Sequence, residues 1–219
     1  MKILTVSDVV VDLVHSSAIV QRFQDIDLVL SCGDLPFDYL EFIVTMLGKP
    51  CYYVFGNHAQ CCVLSEDGSM RSAPGGCINL HHRVISYKGL LIGGLEGSMR
   101  YRDGEHQYTE QQMQMLVHSM APKLLWNRLR YGRAIDILIT HAPPFGIHDA
   151  EDLCHRGFKA FLRFMDHYRP RYLIHGHKHL YGMDNERETR YGETTVINTY
   201  GYRVIEIDAP RPSGPLPRR

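Results

Sequence analysis

Five short apolar runs, each ending in a side chain able to bind a metal, constrain this chain more than any other feature. Lys2–Ser7 (KILTVS) runs into Asp8, Asp27–Cys32 (DLVLSC) into Gly33-Asp34, and Cys51–Phe55 (CYYVF) into Gly56-Asn57-His58. Ile135–Thr140 (IDILIT) runs into His141, and Tyr172–His175 (YLIH) into Gly176-His177-Lys178-His179. Near-continuous runs of Val, Ile, Leu and Tyr predict strands buried on both faces, as in α/β sheets. In such sheets, ligands gather at the carboxyl edge of the strands. One Asp after a strand is ordinarily a helix cap, and one His a structural group. The same outcome at five strand ends points to a metal site instead. Asp, Asn and His are hard to borderline donors, suited to Mn, Fe, Zn, Ni or Co rather than to a thiolate centre.

The remaining segments complete an α/β chain. Phe158, Phe161, Leu162 and Met165 have the spacing of an amphipathic helix, which Pro170 stops. Thr109 with Gln112 has the form of a capping box and opens a helix through about Met120. Val84–Leu95 and Thr194–Asp208 read as consecutive strands or hairpins. With 219 residues, 44% hydrophobic and 22% charged, the chain can bury a core, and no repeat or break in composition divides it. The expectation is one domain over residues 1–208 and a Pro/Arg-rich tail over 209–219. The long loop Ala59–Cys77 is expected to border a site.

Charge narrows the partners. The 24 basic residues balance the 24 acidic ones, which counts against a long nucleic acid or a membrane surface as partner. No run of 18 apolar residues predicts a membrane span. Met1-Lys2 leads straight into a strand without an apolar leader, and six cysteines are too few for a disulfide framework. The expectation is a cytoplasmic protein with reduced thiols.

In order, Asp8-Val9-Val10, Gly33-Asp34, Gly56-Asn57-His58, Thr140-His141-Ala142-Pro143 and Gly176-His177-Lys178-His179 resemble the motifs of the calcineurin-like metallophosphoesterases. That family's pattern is D-x-H, G-D, G-N-H, a histidine in a G-H-x-P-like segment, and G-H-x-H. The resemblance implies a four-layer αββα sandwich with its metal site at the carboxyl ends of the strands. It implies two divalent metals, about 3.5–4 Å apart in two-metal hydrolases generally. Asp34 would bridge them, Asp8 and His179 would complete the first site, and Asn57, His141 and His177 the second. A metal-bridging hydroxide would attack the phosphorus of a small phosphodiester or, second in order, a phosphomonoester. His58 would protonate the departing alkoxide. Asn57 suits a ligand role because its amide oxygen adds no further anion to repel phosphate.

One position departs from the pattern. Val10 stands where the family has the D-x-H histidine, so the first site keeps three protein ligands and is expected to hold its metal weakly. Asp12 and His15 lie near enough in sequence to compensate, although a helix cap and a helix-surface residue are the plainer readings. Arg156 could grip a phosphate oxygen with a forked hydrogen bond, or simply decorate the helix after Gly157. His175 reads as structural, and Cys61-Cys62 as loop thiols. The alternative function is a protein-binding scaffold, as in a retromer coat subunit of this fold that has lost catalytic residues. Val10 leans that way; Asp8, Asp34, Asn57, His58, His141, His177 and His179 lean against it.

Overall fold

The apolar runs form two sheets. The computed structural model describes residues 1–58, 63–64, 68–180 and 186–208. In chain order its elements are β1 (Lys2–Ser7), α1 (Ala18–Phe23), β2 (Leu28–Ser31), α2 (Phe37–Leu47), β3 (Cys51–Tyr53), β4 (Val63–Leu64), β5 (Met70–Arg71) and β6 (Cys77–Asn79). Then come β7 (Arg83–Tyr87), β8 (Leu90–Leu95), β9 (Ser98–Met99), β10 (Gln107–Tyr108), α3 (Glu110–Ser119), α4 (Ala121–Tyr131) and β11 (Ile137–Thr140). The last are α5 (Lys159–Tyr168), β12 (Tyr172–His175), β13 (Glu188–Tyr191), β14 (Thr194–Asn198) and β15 (Gly201–Glu206). The first sheet has the order β15-β1-β2-β3-β6 and the second β13-β14-β12-β11-β8-β7. The pairs β4–β5 and β9–β10 stand apart from both.

Alternation along each strand sets the layers, because successive side chains point to opposite faces. Ile3, Leu28 and Leu30 of the first sheet meet Ile92, Ile137, Ile139 and Ile174 of the second in one core. Leu4 and Val29, their sequence neighbours, and Tyr53 of β3 turn the other way, onto Ile19 and Phe23 of α1 and Leu40 and Ile43 of α2. Leu138, Leu173 and Val196 likewise turn outward onto Met113, Leu124 and Phe161 of α3, α4 and α5. The stacking is helix, sheet, sheet, helix: the αββα sandwich expected. Both faces of the central strands are covered, which is why they carry no polar alternation.

Four local readings hold with adjusted bounds, and the structure adds one helix. Thr109 caps α3 through Gln112 in both directions of the capping box. Arg169, in the left-handed region at φ 50°, ends α5 directly before Pro170. Val84–Leu95 is an antiparallel hairpin of β7 and β8. Thr194–Asp208 is two consecutive strands rather than a hairpin: β14 lies in the second sheet, while β15 crosses to the first and pairs antiparallel with β1, from Lys2↔Glu206 to Ser7↔Gly201. The chain past Ser119 also turns at once into α4, with Pro122 in its first turn. The Cys61-Cys62 pair and the tail 209–219 lie outside the described residues, as does part of the 59–77 loop. No helix among the described residues is long and apolar enough to cross a membrane.

Candidate metal centre

Parallel pairing of β1, β2 and β3 in one sheet, and of β11 and β12 in the other, brings their carboxyl ends to one edge. The loops there are bonded across both sheets. The Asp8 N–H donates to the Gly33 carbonyl at 3.1 Å, and the Gly176 N–H to the His141 carbonyl at 3.1 Å. The His177 N–H donates to both oxygens of Asp8, each at 3.0 Å. Asp8, Asp34 and His177 all sit in the left-handed region, at φ 66°, 55° and 65°. That conformation costs about 1–2 kcal/mol for an L-residue. Three such residues at one edge mark backbone held by its surroundings for the sake of side-chain placement.

The donors converge around His141, which is fully buried. Its Nδ1–H donates to the Cys32 carbonyl at 2.7 Å, and its Nε2 lies 3.0 Å from Asn57 Oδ1 and 3.1 Å from Asp34 Oδ2. Ligand atoms of Asp34, His141 and His177 all lie within 4.8 Å of one another. His177 Nε2 donates to the Cys154 carbonyl at 2.7 Å, leaving Nδ1 as its acceptor nitrogen. Each imidazole is thus fixed by a backbone carbonyl on one nitrogen, the arrangement that orients metal-binding histidines. Glycines make the room: a Cβ on Gly56 would collide with the Asp34 carboxylate and come within 2.7 Å of His141 Cε1, and one on Gly176 would stand 2.5 Å from Asp8 Oδ2. Carboxylate, amide oxygen and oriented imidazoles in a glycine-shaped cradle fit a divalent metal of the hard to borderline kind.

The charges agree with that fit. Burial pushes the Asp34 carboxyl up, but the His141 charge and hydrogen bonds from His141 and His58 outweigh it and hold Asp34 at about 2. Burial pushes His141 down, but Asp34 and Asp8 carry it up to about 9. Burial, reinforced by repulsion from His141, drives His177 down to about 3. Burial raises Asp8, opposed by His141. Without metal, a protonated His141 therefore supplies the positive charge that the carboxylates demand.

Gly56→Ala tests the cradle. The added methyl must displace either the Asp34 carboxylate or the His141 ring. Divalent-metal affinity should fall about 10- to 100-fold, the usual effect of disturbing what orients a ligand. Calorimetric titration with Mn²⁺ measures it.

The other predicted residues are placed as follows. His58 is exposed, and its backbone N–H donates to Asp34 Oδ1 at 2.8 Å. His179 is exposed, with its ring 4.7 Å from that of Tyr200, outside the donor cluster. Arg156 Nη2 donates to the Glu151 carbonyl at 3.0 Å and lines a cavity of about 830 Å³ with Met99, Glu110, Phe145, Asp149 and Leu153. Val10 is exposed, at 37%. His15 packs edge-on against Tyr39 and Phe42 of α2, at 5.4 and 4.7 Å, and so lies against that helix.

The structure adds residues that no motif flags. Cys154 and His155 form a second group of possible ligands with His177, and Asp152 Oδ1 orients the His155 ring through Nδ1 at 2.9 Å. Buried Glu96, just past β8, bonds His106 Nδ1 at 3.0 Å and accepts from the Tyr108 hydroxyl at 2.7 Å. The next residue, Gly97, donates to the Phe55 carbonyl at 2.9 Å and accepts from the Ala142 N–H at 3.3 Å. Glu96 thereby anchors the backbone between the Asn57 and His141 loops. Its only signal in the sequence is a carboxylate at one more strand end.

The sequence profile of the calcineurin-like phosphoesterases matches residues 1–181. The chain belongs to that family. No curated protein sequence matches it. Among solved structures, one superposes with a TM-score of 0.61 at 16% identity, covering 93% of this chain and 94% of the other. TT1561 of Thermus thermophilus superposes at 0.58 with 14% identity, over 91% of this chain and 89% of that one. GAP50, the anchor in the inner membrane complex of Plasmodium, superposes at 0.51 with 13% identity, over 91% and 71%. These likenesses concern the fold. For the calcineurin-like phosphoesterase described here, the donor cluster at the strand ends carries the functional argument.

Proposed function

We propose that this chain is a metal-dependent phosphoesterase acting on a small phosphorylated molecule, with a phosphodiester preferred to a monoester. Asp8, Asp34, Asn57, His141, His177 and His179 are the proposed metal ligands and His58 the general acid. The observation that carries the reading is the convergence of Asp34, Asn57, His141 and His177 at the joint carboxyl edge of both sheets. Divalent cations held there would offset charge on the phosphoryl oxygens and acidify the attacking water. Asp34, kept ionised at about 2, is ready to bind cations across the whole neutral range. His58, anchored through its backbone to Asp34 and exposed, can reach a leaving oxygen on the solvent side. A cavity of about 830 Å³, lined by Leu153 next to the Cys154 carbonyl that holds His177, has small-molecule size, since such sites run to about 300–1,000 Å³.

The test is a turnover screen of bis- and mono-p-nitrophenyl phosphate with the purified protein, before and after EDTA and with Mn²⁺, Ni²⁺, Zn²⁺ or Fe²⁺ restored. The proposal expects activity that is lost with the metal and returns with it, greater on the diester. Bound metal without turnover of any ester would favour the scaffold reading.

Val10→His adds the imidazole that the D-x-H motif lacks. The expected result is a first metal bound more tightly and less dependence on added metal, read by competition against a chelating dye. Equal affinities in the two forms would mean that another side chain already serves there.

A further inference from the structure

We propose that the outer face of α4 docks the protein on an anionic lipid surface. The helix presents its buried side through Leu124 and Asn127. At 100° per residue, Pro122, Leu125, Trp126 and Leu129 fall together on the opposite side. Leu125 is 48% exposed, Trp126 60% and Leu129 71%, although each is among the residue types that ordinarily seek burial. The stripe is bordered by Arg128 on one side and by Lys123 and Arg130 on the other, all exposed. No acidic residue occurs from Ala121 to Ile135. Tryptophan and leucine between flanking cations is the composition of a helix lying in the membrane interface, its apolar side among the acyl chains and its cations at the headgroups.

The charge pattern decides between occupants. A second copy pairing on this face through a two-fold axis would set the stripe against itself and bring like cations together, with no carboxylate on the helix to meet them. An anionic bilayer satisfies both halves of the face at once. The zero net charge of the chain conceals this, because it averages over a helix that carries three cations and no carboxylate. The inference is independent of the phosphoesterase reading.

Trp126 is the only tryptophan, so tryptophan emission, excited selectively over the 13 tyrosines, reports this face alone. With vesicles of phosphatidylcholine and phosphatidylglycerol, the emission should shift to the blue and become shielded from acrylamide. Pure phosphatidylcholine vesicles should produce neither change. Each cation near an anionic surface contributes about five-fold to partitioning, so Lys123→Gln with Arg128→Gln should weaken it roughly 25-fold. Leu129→Asp, at an exposed position, should abolish the shift while leaving the far-ultraviolet circular dichroism unchanged. An unshifted spectrum with anionic vesicles overturns the proposal, as does equal binding to neutral ones. A blue shift that grows with protein concentration in vesicle-free buffer also overturns it, by showing that a second copy covers the face.

Discussion

His58→Ala should lower turnover of an alkyl phosphodiester by about 10² to 10⁴, the usual contribution of a general acid. Metal content should stay as it was. The hydrogen bond that ties this residue to Asp34 comes from its backbone N–H, at 2.8 Å, and alanine keeps that donor. The imidazole itself is exposed, so its removal opens no cavity and the unfolding midpoint should hold within error. Histidine is the side chain whose charge changes nearest neutral pH, which suits it to give up a proton at the leaving oxygen. The loss should therefore shrink with a p-nitrophenyl leaving group, which departs without needing a proton. Parallel measurements on the alkyl and nitrophenyl diesters separate the two cases. A loss of metal in step with activity would make His58 a ligand, and an equal loss on both esters would make it a structural residue.

How much of this was legible in the sequence follows from which interactions are local. Strands covered on both faces reveal themselves as unbroken apolar runs, so β1, β2, β11 and β12 and the donors just past them could be read directly. The capping box of α3 is likewise a matter of four residues, Thr109 to Gln112. The destination of β15 was not readable, because Thr194–Asp208 looks the same whether its second half pairs with β14 or crosses to β1. Helix α4 escaped notice for a different reason: its apolar residues lie on the outer face as well as the inner one, which blurs the period expected of a surface helix. At the site, sequence order picked out Asp34, Asn57, His141 and His177, which the fold brings together. It did not show that His155 and Cys154 would reach His177, since that approach depends on how the 148–157 loop folds back. Nor did it show that the His179 ring would lie against Tyr200.

Acid should weaken the metal-free fold well before its carboxylates titrate. His175 and His177 are both driven down to about 3, first by burial and then by neighbouring histidines, His148 for the one and His141 for the other. Carbonyl contacts oppose this without prevailing: His175, which also meets His148 Nδ1 at 3.0 Å, lies 3.0 Å from the Gly176 carbonyl, and His177 meets the Cys154 carbonyl. In the unfolded chain both regain the ordinary value near 6.5. Below that pH the unfolded state binds more protons than the folded one, so stability present above about 6.5 is lost progressively as pH falls toward 3. Each histidine contributes a slope of about 1.4 kcal/mol per pH unit, or roughly 4 kcal/mol for the pair between pH 6.5 and 5. The Asp34–His141 pair does not add to this loss. The His141 contribution, with a folded value of about 9, is fully present below 6.5 and fades only as pH rises through 9. The Asp34 contribution is present above its ordinary 3.8 and fades only as pH falls through about 2. Urea unfolding of EDTA-treated protein at pH 7 and pH 5 measures the difference. His175→Gln, which removes one of the two groups, should reduce the slope by about half. Saturating divalent metal should protect the fold by about 4 kcal/mol at a thousand times its dissociation constant, because it binds the neutral His177 that acid would otherwise protonate. A metal-free midpoint unchanged between pH 7 and 5 would show that the two imidazoles are not held neutral in the folded chain.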